Sequence, residues 1–150
     1  MSRWRAKALE LFPDLRSEIQ SSESGGSLWI ELVVRFQRHY EPPNDGESKE
    51  SPEFIRAICP YAIWCTRSKS FTIQEPAYIG FYEGLARFAL SCKPQIYKKI
   101  IGDLIANVGL AELEKQSGNI GAYMKPDKVE KFFEDARQAE NERGRRLRKR

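Results

Sequence analysis

The chain has 150 residues, of which 41% are hydrophobic and 11% aromatic, enough for one ordinary domain with a buried core. No stretch approaches the roughly 20 apolar residues that span a bilayer, since even the segment Leu28 to Val34 is interrupted by Glu31. The amphipathic start differs from a signal peptide, so the sequence predicts a cytoplasmic protein without membrane association.

The net charge of +4 is unevenly distributed along the chain. Six of the 25 basic residues lie in residues 143–150, which leaves 19 basic against 21 acidic residues in the rest. Residues 1–142 therefore carry a net charge of −2 and the last eight carry +6. We predict a single helical domain over residues 1–142 followed by a basic C-terminal tail over residues 143–150.

The first part of the chain predicts two helical regions. The first covers about Arg3 to Leu11, breaks near Pro13 and ends near Gln20, before a connector rich in serine and glycine. The second begins with Ser27 as a candidate N-cap and stops before the two prolines at 42 and 43. Its apolar side chains cover more than one face, which indicates a central helix.

Residues 41–51 are polar and predict a loop, after which Ser51-Pro52 resembles a helix start. The third helix contains Pro60, where we expect a kink or a restart. A polar connector follows over residues 66–75, and Pro76 is predicted to open the fourth helix. Two further helices are predicted after Pro94 and from Pro126.

Apolar residues recur at spacings of three and four, whereas alternating strand patterns are almost absent. The predicted fold class is therefore all-α. A compact bundle of five to seven helices is the simplest arrangement. Because no repeat of fixed length emerges, a helical-repeat arrangement could exist only in degenerate form.

Residues suited to catalysis or to metal binding are scarce. His39 is the only histidine, and the three cysteines lie in apolar surroundings, which is typical of buried thiols in a reducing compartment. A zinc site needs about four such ligands at short spacings, and no nucleotide-binding or metalloprotease motif occurs. We predict no enzymatic activity, no catalytic, cofactor-binding or metal-binding residues, and no small-molecule substrate.

Two groups of residues are candidates for binding macromolecules. In the fourth predicted helix, Tyr82 lies at the edge of the apolar stripe with Glu83 beyond it and Arg87 one turn later, so an aromatic anchor and charges could meet a protein partner.

The basic tail could bind phosphate groups with a salt-dependent affinity. Its six candidate phosphate-binding residues are Arg143, Arg145, Arg146, Arg148, Lys149 and Arg150. Because no aromatic residue interleaves them, specific base recognition is disfavoured.

Four short segments carry a resemblance to known proteins: Leu11-Phe12-Pro13-Asp14-Leu15, Leu28-Trp29-Ile30-Glu31-Leu32, Tyr61-Ala62-Ile63-Trp64-Cys65 and Phe81-Tyr82-Glu83-Gly84-Leu85. Over about residues 8–90 the chain resembles a family of small uncharacterised bacterial all-helical proteins. That family resembles immunity proteins, which are cytoplasmic partners that block toxins delivered by neighbouring cells. The resemblance supplies no functional residue, and the residues after 93 do not follow its pattern.

The sequence therefore favours a non-enzymatic protein-binding module, and the resemblance makes an immunity protein that neutralises a bacterial toxin the most concrete interpretation. The predicted partner is a protein, namely a toxin domain. The alternative is a nucleic-acid-associated protein that uses the basic tail.

Overall fold

Helices make up the regular structure of residues 1–42 and 50–149, which are the residues that this computed structural model describes. No strand occurs within these ranges, so the predicted all-α fold class is confirmed. In chain order the elements are α1 (Arg3–Leu11), a 3₁₀ turn (Pro13–Leu15), α2 (Arg16–Ser21), α3 (Gly25–Tyr40), α4 (Pro52–Arg67), α5 (Phe71–Ala77), a π-helical segment (Tyr78–Tyr82), α6 (Glu83–Ser91), α7 (Pro94–Asn107), α8 (Leu110–Lys115), α9 (Ser117–Ile120) and α10 (Pro126–Arg148). Most of the predicted loop over residues 41–51 lies outside the described residues.

Three of the long helices begin with a proline. Pro52, Pro94 and Pro126 occupy the first position of α4, α7 and α10. Proline suits this position because the first amide of a helix has no partner within the helix and the proline ring already fixes a helical φ. The predicted starts at these prolines are therefore confirmed. Pro60 lies inside α4, which continues through it without a restart.

Two predicted helix starts are wrong. Helix α3 begins at Gly25, and its N-cap is Ser24, whose hydroxyl accepts a hydrogen bond from the amide of Ser27 at 3.1 Å. The predicted connector over residues 66–75 is largely helical, because α4 extends to Arg67 and α5 begins at Phe71. Pro76 consequently lies within α5 instead of opening a helix, and the helical pattern changes to the π segment directly afterwards.

The chain divides into two compact units, an N-terminal unit (Met1–Phe81) and a C-terminal unit (Tyr82–Arg150). In the N-terminal unit, α4 packs against α1, α3 and α5, and α3 also packs against α5. In the C-terminal unit, α10 packs against α6, α7 and α8. Whether residues 1–142 behave as the single predicted domain stays a prediction.

Stacked aromatic rings form the centre of the N-terminal unit. The rings of Trp29 on α3 and Tyr61 on α4 stack with centroids 5.3 Å apart, and both side chains are almost completely buried. Phe12 meets Tyr61 edge-on at 5.7 Å, and Phe81 lies 5.7 Å from Trp29. The hydroxyl of Tyr61 donates to the carbonyl oxygen of Trp4 at 3.3 Å, so the cluster also holds α1. Such ring pairs stabilise a core by more than the burial of their apolar surface alone would.

Burial in this core changes the acidity of two side chains. Desolvation raises the pKa of the Cys65 thiol to about 12, although the nearby side chains of Trp29 and Tyr61 oppose part of the shift. Burial likewise raises the pKa of Tyr61 far above its usual value near 10. Both groups are therefore held in their neutral forms in the folded protein.

In the C-terminal unit, buried apolar side chains fill the space where the helices meet. The fully or almost fully buried residues of this core include Ile100, Leu104, Leu113, Ile120 and Phe132. Gly109, between α7 and α8, has a φ of 92°, a left-handed conformation that glycine adopts without strain. This glycine lies in the short link between the end of α7 at Asn107 and the start of α8 at Leu110.

Replacing the observed cap of α3 should destabilise the protein. We expect Ser24→Ala to lower the free energy of unfolding by about 1 kcal/mol, because the first turn of α3 loses its side-chain acceptor. Ser27→Ala removes only an exposed hydroxyl contact with Ser24 and should cost clearly less. Urea denaturation of both variants checks this, and a larger loss for Ser27→Ala would restore Ser27 as the cap.

The core thiol should make stability sensitive to alkaline pH. In the unfolded chain Cys65 ionises near its ordinary pKa of about 9, whereas in the folded protein it stays protonated to about 12. The stabilising contribution is therefore complete below pH 9 and is lost as the pH rises toward 12, at up to about 1.4 kcal/mol per pH unit for one group. Ionisation of Tyr61 in the unfolded chain lowers the free energy of unfolding further above about pH 10.

We expect Cys65→Ala to flatten the decline in the free energy of unfolding between pH 9 and 10. The wild-type protein, titrated in parallel, serves as the reference for this slope. Urea titrations at half-unit pH intervals measure the slope. An unchanged slope in Cys65→Ala would contradict the assignment of the raised pKa.

Candidate functional site

Three of the most exposed large apolar side chains border one groove. They are Ile30 on α3 with 70% of its surface exposed, Phe71 at the start of α5 with 70%, and Ile79 in the π segment with 54%. All three line a groove of about 540 Å³ in the N-terminal unit, which we call the α3/α5 groove. Scattered exposed apolar residues are normal on protein surfaces, whereas a contiguous apolar patch indicates a binding surface.

The helices α3 and α5 form the two walls of this groove. Ser24, Gly26 and Ser27 belong to the start of the α3 wall, and Thr72, Glu75 and Pro76 belong to the α5 wall. Helices α3 and α5 pack against each other and carry Ile30 and Phe71, whereas Ile79 belongs to the π segment that follows α5. The groove is therefore built on regular backbone rather than on a loop.

Trp29 and Gly80 complete the lining of the groove. Trp29 is 1% exposed, so its ring belongs to the aromatic core while its edge reaches the groove. A Cβ atom at Gly80 would lie 3.1 Å from the Cβ of Trp29, which is tighter than an ordinary contact. Glycine at this position lets the π segment approach α3 closely, and the neighbouring Ile79 is exposed. π-helical segments of this kind occur frequently at functional sites.

The predicted partner-binding residues do not lie together on the surface. Tyr82 is fully buried, so its ring is not a surface anchor and belongs to the apolar stripe itself instead of its edge. Glu83 is half-buried and Arg87 is exposed on α6. A role of these residues in partner binding stays a prediction, with Arg87 the most accessible of the three.

The predicted basic tail is mostly helical. Helix α10 extends to Arg148, and Arg145, Arg146 and Arg148 are exposed, whereas Arg143 is half-buried. Lys149 is exposed directly after the helix, and Arg150 lies outside the described residues. Because successive residues turn by about 100° around a helix axis, these charges surround the end of α10 instead of forming one face. Leu147, between them, is 54% exposed.

A second cleft, of about 300 Å³, lies between α7 and α10 in the C-terminal unit. Three of its polar groups contact one another: the Tyr97 hydroxyl donates to Asp135 Oδ2 at 2.5 Å, and Lys131 Nζ lies 3.1 Å from the same oxygen. Burial, with a further contribution from Asp135, raises the pKa of Tyr97 well above its usual value. Tyr97 is therefore a neutral donor that joins the two helices, and the cleft is best explained as structural.

His39 has a structural environment as well. Its Nδ1 atom lies 3.0 Å from the carbonyl oxygen of Glu50, and its ring meets Tyr40 edge-on at 4.7 Å. Nearby, Arg35 bridges Glu31 and Glu50 at 2.9 Å each, which ties α3 to a residue two positions before α4 begins. These contacts indicate that the polar groups at the end of α3 stabilise the fold.

Within residues 1–42 and 50–149, no group of three or more His, Cys, Asp or Glu side chains is arranged to hold a metal ion. No helix in that part of the chain combines the length and the apolar character that crossing a bilayer requires. Comparison of the chain with protein-family models, with curated proteins and with solved structures found no match.

The α3/α5 groove does not follow from the sequence, because exposed and buried apolar residues look alike in a helical pattern. The pattern of α3 predicts that Ile30 packs against a second neighbour, and Phe71 falls within a predicted connector. The one available signal is the apolar pair Phe71 and Ile73 within an otherwise polar stretch. In the structure Ile73 is buried while Phe71 is exposed, which matches one face of α5 turned inward.

Proposed function

We propose that this chain is a non-enzymatic protein-binding module, and that it acts as a cytoplasmic immunity protein which neutralises a bacterial toxin by direct binding. The clustering of Ile30, Phe71 and Ile79 around one groove carries the proposal. A binding surface needs a desolvated apolar centre, and these side chains supply one on rigid helices. The four segments that resemble the immunity-like family support the more specific interpretation.

The groove has enough apolar surface to contribute measurably to affinity. Complete burial of a large apolar side chain contributes about 1.5 to 3 kcal/mol. Each of these three residues is already partly covered, so about 1.4 kcal/mol each, a tenfold change in affinity, is a reasonable expectation. Polar contacts and shape complementarity around the groove must supply the rest.

Removing the apolar groups should break the complex. We expect the double variant Phe71→Ser/Ile79→Ser to weaken binding of the toxin by about 100-fold, at roughly tenfold per side chain. The matched control is Tyr123→Ser/Leu147→Ser, which removes an aromatic residue 72% exposed and an aliphatic residue 54% exposed, neither of which lines the groove. The control should bind as the wild type does.

The measurement is co-expression with the product of the neighbouring gene, followed by size-exclusion chromatography and a cell-survival assay. Wild type and control should co-elute with that product and protect the cells, whereas the groove variant should do neither. If the wild type forms no complex and gives no protection, the immunity function is contradicted. If both double variants lose binding equally, the groove is not the contact surface.

The second candidate function is nucleic-acid association through the end of α10. The observation that favours it is the exposure of Arg145, Arg146 and Arg148 on successive sides of that helix. Guanidinium groups bind phosphates well, and their arrangement around the axis suits contact without base recognition. This function would not require the α3/α5 groove.

Neutralising these three arginines separates the two functions. In Arg145→Gln/Arg146→Gln/Arg148→Gln, DNA or RNA binding should weaken, and the slope of log affinity against log salt should fall by about 0.9 for each phosphate group that the variant no longer neutralises. Fluorescence anisotropy at several salt concentrations measures both. The protein complex proposed above should stay intact. A wild-type protein without salt-dependent binding would eliminate the second candidate.

A further inference from the structure

The dimensions of the α3/α5 groove fit a short segment of a partner. Its α5 side runs from Phe71 to Ile79, eight residues apart, which corresponds to about 12 Å along a helix axis. The exposed apolar side chains stand at both ends of this wall, and Ile30 faces them from α3. A segment that fills the groove therefore has about two helical turns in contact with it.

The residues that line the groove are mostly uncharged, and one of them carries a charge. Apart from Glu75, the lining residues are apolar, hydroxyl-bearing or glycine, and Glu75 is half-buried on the α5 wall. Within the part of the chain that the structure describes, Glu75 takes part in no ion pair. When a partner covers this apolar surface, the carboxylate of Glu75 favours a cationic group of the partner over an anionic one.

The backbone around the groove limits the form of the occupant. Peptides that bind as an added strand require a free sheet edge, and residues 1–42 and 50–149 contain no strand. The walls are helices whose backbone groups bond mostly within the helices, apart from the first-turn amides of α3 and α5, so recognition comes mainly from side chains. An amphipathic helix laid into a groove meets this requirement, because its apolar residues repeat every three or four positions.

We propose that the α3/α5 groove binds an amphipathic helix of the partner protein, with apolar side chains one and two turns apart and a lysine or arginine that pairs with Glu75. This inference rests on the proposed protein-binding function and names the class of segment that is recognised. Apolar residues at positions i, i+3 or i+4, and i+7 contact Ile30, Phe71 and Ile79. The basic residue fixes the register of the helix.

A second copy of this chain is the competing occupant, since the end of α10 also places Leu147 among arginines. That arrangement would make the protein self-associate as its concentration rises. Sedimentation velocity at 5 to 200 μM, with Phe71→Ser/Ile79→Ser alongside, tests it. Self-association that the groove variant abolishes would overturn the proposal of a separate helical partner, and a monomer over this range supports it.

The direct test is a selection from a displayed library of random 16-residue peptides on the full-length protein. We expect the enriched peptides to combine helically spaced apolar residues with at least one lysine or arginine. Selection on Glu75→Lys should instead enrich aspartate or glutamate at the basic position. Phe71→Ser/Ile79→Ser should enrich no such peptides, whereas Tyr123→Ser/Leu147→Ser should reproduce the wild-type result.

A synthetic peptide from the wild-type selection provides the second measurement. It should gain helical circular dichroism on binding, and Glu75→Lys should weaken its binding at least tenfold while Glu75→Gln weakens it less. Enriched peptides that ignore the charge at residue 75, or that bind without becoming helical, would overturn the proposal. Failure to enrich any peptide that depends on the groove would overturn it as well.

The two proposals fail in distinguishable ways. If the neighbouring gene product binds equally well to wild type and to the groove variant, and no peptide depends on the groove, protein binding stands and the helical-partner inference fails. If helical basic peptides bind the groove but the neighbouring product neither binds nor is neutralised, the groove inference stands and the immunity function fails.

Discussion

The burial of Trp29 is the constraint on which the N-terminal unit depends. Its ring stacks on Tyr61 and lies against Phe81, so three segments of the unit meet at one side chain. The same residue lines the α3/α5 groove, which means that the core and the candidate binding surface share a wall. Gly80 belongs to this arrangement, because any side chain there would press against Trp29. A groove supported in this way keeps its shape before a partner arrives, which reduces the entropy cost of binding.

The polar contacts of the protein have mostly structural roles. Arg35 pairs with acidic groups on two elements, and Tyr97 joins α7 to α10 through Asp135. Shifted pKa values often mark active sites, but here burial is the main cause and it keeps Cys65 and Tyr61 neutral. A neutral, buried thiol is a poor nucleophile. These groups are better explained as parts of the core than as catalytic residues, which favours binding over catalysis.

Much of the fold could be predicted because its signals are local. Proline at the first helical position and apolar spacing of three or four located α4, α7 and α10, since both effects act within one turn of the helix. Two errors arose where local rules compete. Ser24 and Ser27 both suit an N-cap, and only the backbone at Gly25 and Gly26 decides between them. Pro76 is tolerated inside α5, where the pattern then changes to a π segment that no sequence rule requires.

The candidate site could not be predicted for a different physical reason. Ile30 and Leu32 are both apolar residues on α3, yet one is 70% exposed and the other is fully buried, because α3 has neighbours on only some of its sides. Two aromatic residues show the same difficulty. Tyr82 is expected at the surface but is buried, whereas Phe71 is assigned to a connector but is exposed on a helix. Burial depends on which helices pack together, and that information is not local.

The proposed use of the groove would let a small helical protein recognise a partner without any reactive group. The described residues around the groove offer no strand edge, so we expect the spacing of Ile30, Phe71 and Ile79 and the charge of Glu75 to supply most of the selectivity. Apolar contact alone discriminates weakly between partners, because any hydrophobic helix of suitable length would gain similar free energy. One half-buried carboxylate adds a penalty for acidic or uncharged segments that would leave it desolvated and unpaired. In this proposal the apolar residues provide most of the affinity, and Glu75 determines which helices can use it.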